Sequence, residues 1–151
     1  MSLADPWTPG EKEQRGNEYG LLETYFDQEG GLLYTEVNVA YLGDGGVQRR
    51  IDAIRVTDPS RGKTGTYDYC SENRRTIWDF IESHTVELIE VHGLGFRLFS
   101  QLLGKAGIIR DELNLHGLRL IAIPTDKKGS FSDPPTTAIF EKYGIDVTVV
   151  E

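Results

Sequence analysis

The sequence predicts an α/β domain: a mixed β-sheet with an antiparallel hairpin at one side, flanked by helices. Three observations predict it. Two runs rich in branched and aromatic residues, LLYTEVNVAYL (32–42) and RRIDAIRV (49–56), are separated by Gly43-Asp44-Gly45-Gly46, a strong turn signal. A third run, VELIEVHG (86–93), precedes a stretch with helical periodicity and then GLRLIAIP (117–124). That last run is almost wholly apolar, as strands covered on both faces are. Strand–helix–strand passages of this kind make parallel neighbours.

The elements follow in order. Residues 1–10 carry two prolines and a glycine and read as a flexible arm; residues 11–151 read as one domain. Between Glu11 and Asp27, Tyr19, Leu22, Tyr25 and Phe26 fall on one helical stripe, and Gly30-Gly31 ends the helix. In the first strand Leu33, Thr35, Val37, Val39 and Tyr41 share a face. The stretch 57–85 is the least regular and reads as an insertion. It opens polar and glycine-rich, and Ser71 caps a short helix carrying Ile77, Phe80 and Ile81. FRLFSQLLGKAGIIRDEL (96–113) is a helix with Leu98, Leu102 and Leu103 inward and a break expected near Gly104 or Gly107. Pro135 to Gly144 is a short helix with proline near its start and glycine past its end, and IDVTVVE (145–151) is a last strand.

Composition narrows the class. The 151 residues suffice for one domain with a real core. No apolar run approaches the ~20 residues of a membrane span, and the N-terminus lacks the pattern of a signal peptide. The lone cysteine, Cys70, fits a reducing compartment, so a cytoplasmic location is expected. No Cys/His spacing matches a zinc site. A net charge of −8 weighs against nucleic-acid binding, which usually rests on Lys and Arg, without excluding a cleft lined by local basic groups.

The chemistry lies in two strands that carry acidic groups where a core strand should carry none. Asp52 sits among Ile51, Ala53, Ile54 and Val56, and Glu90 sits between Ile89 and Val91. An unpaired buried carboxylate is costly. Two of them in neighbouring strands suggest that they meet a cation. Mg²⁺, or Mn²⁺, takes carboxylate and carbonyl oxygens and often uses only one or two carboxylates plus substrate phosphate. Asp52 and Glu90 would hold the ion and the Val91 carbonyl would add a ligand. By strand alternation His92 points the same way as Glu90, where it would orient or deprotonate a water or bind a softer ion. Metal-assisted phosphodiester hydrolysis is the reaction class this permits.

Taken together, residues 14–123 resemble the PD-(D/E)xK nuclease superfamily, the restriction-endonuclease-like fold. Its core order is a helix bearing Glu, a hairpin ending in an Asp strand, a Glu-x-Lys strand, a helix and a strand. The order expected here is αβββαβ with a trailing αβ. RRIDAIRV looks like the Asp strand, with Ile51-Asp52 for Pro-Asp, and VELIEVHG looks like the Glu-x-Lys strand, with Gly93 where a glycine often follows. The resemblance implies that Glu18 is the helical acid some members add as a metal ligand. It also implies that Gln101 is the polar residue on the following helix that faces the site. Nucleic acid is the implied substrate, and a homodimer is the implied assembly. One position departs: His92 stands where the family has lysine, and that lysine positions the nucleophile.

Plainer readings stand beside these. Asp52 would be an edge-strand residue paired with Arg50 or Arg97, and Glu90 a surface residue like Glu87, read as solvated. Lys105, one turn beyond Gln101, would serve as a displaced lysine. Arg61, Lys63, Arg74 and Arg75 of the insertion would track phosphates or simply be wet. A catalytically inactive member of the same fold, acting in binding or assembly, is the alternative function.

Overall fold

The computed structural model describes residues 9–38, 50–57, 66–69, 81–82, 84–112, 117–125 and 134–150. Nine elements are seen there. They are α1 (Pro9–Glu29), β1 (Leu32–Asn38), β2 (Arg50–Val56), β3 (Thr66–Tyr69) and β4 (Thr85–His92), then α2 (Phe96–Glu112), β5 (Gly117–Pro124), α3 (Pro134–Lys142) and β6 (Ile145–Val147). The strands form one mixed six-stranded sheet in the order β3-β1-β2-β4-β5-β6. β1 and β4 run antiparallel to β2, whereas β5 is parallel to β4 and β6 to β5. The predicted class is therefore observed, with the two acidic strands side by side at the centre.

Helices cover both faces. Leu21, Leu22, Tyr25 and Phe26 of α1 bury against Leu33, Ala53, Ile89 and Ile121. On the other face Leu98, Leu102, Ala106 and Ile109 of α2, with Phe140 of α3, bury against Ile54, Val86, Leu88 and Leu120. The i, i+4, i+8 spacing of Leu98, Leu102 and Ala106 is what makes α2 amphipathic. The helix runs unbroken through Gly104 and Gly107, contrary to the break expected there. Packing explains this: neighbouring Leu102, Ala106 and Ile109 are all buried, and that outweighs the ~1 kcal/mol each glycine costs relative to alanine.

Two further expectations are corrected. The irregular stretch 57–85 holds an unforeseen strand, β3, whose Thr66–Tyr69 pairs in parallel with Leu32–Thr35 at the sheet edge. Asp52 is not an edge-strand residue, because β2 has β1 and β4 on its two sides. The hairpin turn at 43–46, the capped helix with Ser71, Ile77 and Phe80, and Arg61, Lys63, Arg74 and Arg75 lie outside the described residues, as does Cys70. Among the described residues no helix is long and apolar enough to cross a membrane.

The turn from α1 into β1 depends on Gly31. Its φ is +85°, and a Cβ placed there would stand 2.5 Å from the Val56 carbonyl oxygen. Both the left-handed backbone and the collision disfavour any side chain. Gly31→Ala is expected to destabilise the fold by about 2 kcal/mol or more, read as a lowered urea midpoint with an unchanged slope.

Candidate active site

Asp52 and Glu90 come together because of register. Ala53 pairs with Ile89 as the last rung of the β2–β4 ladder, so the next residues outward, Asp52 and Glu90, face each other across it. Alternation places both on the α2 face with Ile54 and Leu88. Beyond that rung the Asp52 carboxylate takes over from the backbone: its Oδ2 accepts the Val91 N–H at 2.8 Å. A carboxylate here thus ends the ladder and leaves a cleft at this end of the sheet. The cleft has a volume of about 330 Å³, and Asp52, Glu90, Val91 and His92 form its floor.

Other elements supply the walls. Arg97, Gln101 and Lys105 of α2 line one side and Glu18 of α1 lines another. The three α2 residues are spaced i, i+4, i+8 and so form a single polar edge beside the apolar stripe. Every residue expected at the site lines this one cleft. Lys105, the displaced lysine of the sequence reading, reaches the carboxylate pair. Its ammonium donates to Glu90 Oε1 as an ion pair, with only 12% of the lysine side chain and 3% of the glutamate side chain exposed. The proposed pairing of Asp52 with Arg97 is not among the described ion pairs.

The electrostatics follow from burial. The Glu90 carboxyl is held well above the usual carboxylate range, first by desolvation and then by the charge and hydrogen bond of Asp52, with Lys105 opposing. The shift favours the protonated form of Glu90 over its charged form. A cation entering the cleft relieves the same repulsion.

The donor set fits a hard dication. It offers two carboxylates in contact and one backbone carbonyl. The His92 carbonyl faces β5, where it accepts the Thr125 N–H at 3.0 Å. Successive carbonyls of a strand point to opposite sides, so the Val91 carbonyl faces β2 and the cleft. Among the described residues no three His, Cys, Asp or Glu side chains gather as an ion-holding group, so Glu18 and His92 border the pair without completing it. That leaves two protein carboxylates, the number Mg²⁺ commonly uses when substrate phosphate supplies the rest. The His92 ring is half-buried, with Nδ1 3.2 Å from the Gly93 carbonyl oxygen. A proton on Nδ1 donates to that carbonyl and leaves Nε2 as an acceptor.

A second buried ionic group lies on the opposite face, where sequence reasoning missed it. Glu87, read as solvated, is 2% exposed. Its Oε1 accepts the Tyr25 hydroxyl at 2.7 Å and Arg55 Nε at 2.8 Å, and Arg119 stands 3.6 Å from Oε2. Arg55 also donates to the carbonyl oxygens of Glu29 and Gly30 at 3.4 and 3.1 Å, fastening the end of α1. Burial, and then the Glu87 carboxylate, push the Tyr25 phenol far up, so it stays protonated. The available signal was that neither face of a central strand between two helical layers is wet.

Compared with protein-family models, curated proteins and solved structures, the chain matches none of them.

Proposed function

We propose that the protein is a metal-dependent nuclease of restriction-endonuclease-like fold, hydrolysing phosphodiester bonds in a nucleic-acid strand. The observation that carries this reading is the contact between Asp52 and Glu90, on adjacent central strands, within reach of a half-buried lysine. The order α1-β1-β2-β4-α2-β5 supports it, because this is the order of that superfamily's core. In this reading Asp52, Glu90 and the Val91 carbonyl hold Mg²⁺ or Mn²⁺, which when bound polarises the phosphoryl oxygen and acidifies water. Lys105 supplies the ammonium that His92 cannot, reaching the carboxylate pair from α2 instead of from β4. Its charge stabilises the developing phosphorane negative charge. His92 Nε2 accepts a proton from water, Gln101 orients it, and Glu18 borders the ion's outer side.

Titration calorimetry tests this. The wild type is expected to bind Mn²⁺ and Mg²⁺ at millimolar or lower concentration, and Asp52→Asn is expected to lose that binding. The pH dependence has a definite sign. Glu90 is raised in the fold, so its contribution to stability is present below its unfolded value and is lost as pH rises through the folded one. Metal and proton compete for the Glu90 carboxyl, so Mg²⁺ should raise Tm more at higher than at lower pH. No heat of binding at millimolar metal, or a Tm gain that shrinks with pH, overturns the assignment.

One observation favours a second reading. Lys105 already neutralises Glu90, as a resident counter-ion would in a non-catalytic binding or assembly protein of this fold. Mn²⁺-dependent cleavage of plasmid or branched DNA that Glu90→Ala abolishes decides against it.

A further inference from the structure

We infer that the exposed edge of α2 is a track for the backbone of one nucleic-acid strand, on which Arg97 grips a phosphate other than the one facing Asp52 and Glu90. The identity of that first phosphate rests on the nuclease reading above. The two cations of the cleft differ in a telling way. Lys105 is committed to Glu90. Arg97 lines the same cleft from an exposed position, and among the described residues no carboxylate forms an ion pair with it. Eight residues separate them on one helix edge, about 12 Å along the axis at 1.5 Å per residue. Lys105 is taken up at the carboxylate pair, so Arg97, two turns away, is placed to hold a phosphate further along the strand. Gln101 lies between them on the same edge, with an amide able to donate to backbone oxygens.

The opposite wall sets the direction. Glu18 lines it, and a carboxylate there repels a phosphate chain toward α2. A guanidinium suits the task, because its planar fork pairs with a phosphate through two parallel hydrogen bonds. The substrate is then a strand of at least two phosphates, not a lone phosphodiester. The net charge of −8 favours a single strand. A duplex presents twice the charge per length to an acidic chain, and the cleft sets few basic side chains against it.

The test reads binding, so it does not depend on turnover. Anisotropy of a fluorescein-labelled single-stranded DNA oligonucleotide is followed through a salt series, with Ca²⁺ present. Arg97→Gln is expected to weaken binding about tenfold. The salt slope should also become shallower by about 0.7, one phosphate contact on a single strand, with Arg97→Lys keeping most of the slope. The matching duplex should bind the wild type more weakly. An Arg97→Gln protein with wild-type affinity and slope overturns the track, and tighter binding of the duplex overturns the single-strand preference. Cleavage of the same oligonucleotide with Mn²⁺ in place of Ca²⁺ is measured in parallel. If the wild type fails there while Arg97→Gln still flattens the salt slope, the nuclease reading falls and the strand track stands.

Discussion

Lys105→Met is expected to lower Mn²⁺-dependent phosphodiester hydrolysis by about 10²- to 10³-fold while leaving metal binding at least as tight as in the wild type. The two halves of this result come from one contact. The ammonium now competes with any cation for Glu90 Oε1, so its removal frees a ligand oxygen. The same removal deprives the transition state of a fixed positive charge in a buried site, where such charges act most strongly. Methionine keeps the length of the stem and fills the same space. The fold is expected to survive because Glu90, left without its partner, takes up a proton, a change that burial and Asp52 already favour. Unchanged hydrolysis would reduce Lys105 to a counter-ion. Loss of metal binding together with hydrolysis would show that the lysine holds the pocket open and takes no part in the chemistry.

The largest stability effect is expected at Glu87. Glu87→Met strips the Arg55 guanidinium and the Tyr25 hydroxyl of their shared acceptor while both stay buried. Breaking a buried pair from one side costs about 3–5 kcal/mol, because the remaining charge has nothing to offset its desolvation. Adding Arg55→Met should restore much of that loss, since apolar replacement of both partners is often neutral. Urea denaturation of the two single variants and the double variant gives the coupling directly. Strictly additive costs, or a single-variant cost below ~1 kcal/mol, would mean that the group contributes little to stability. A lesser loss of hydrolysis should accompany the single variant, because Arg55 fastens the C-terminal end of the helix that carries Glu18.

What was legible in the sequence follows from which physical signals are local. The strand bearing Asp52 and the strand bearing Glu90 were legible because a carboxylate inside an apolar run is costly and therefore conspicuous. Their meeting was legible only as a consequence of expected element order, since register is set by pairing that no single segment encodes. Lys105 was legible only as a displaced lysine one turn beyond Gln101. Its burial against Glu90 depends on the helix lying over β4, which is tertiary information. Strand β3 was missed because Thr66–Tyr69 follows a polar, glycine-rich run and owes its extended form to an edge of β1 that happens to be open. Glu87 was misread because strand alternation opposes it to Glu90. One acid appeared to need the inside and the other the outside, yet the outside of this strand is the inside of a second layer.

The two acids of the cleft belong to different strands and meet because those strands are aligned as they are. Shifting β2 by one place against β4 would turn Asp52 to the α1 side and leave Glu90 facing an apolar neighbour. If the proposed ion binds there, its uptake doubles as a gauge of correct assembly: a misaligned chain would not capture it, and a chain that had captured it would be held against slippage by the mass-action stabilisation of whatever state binds.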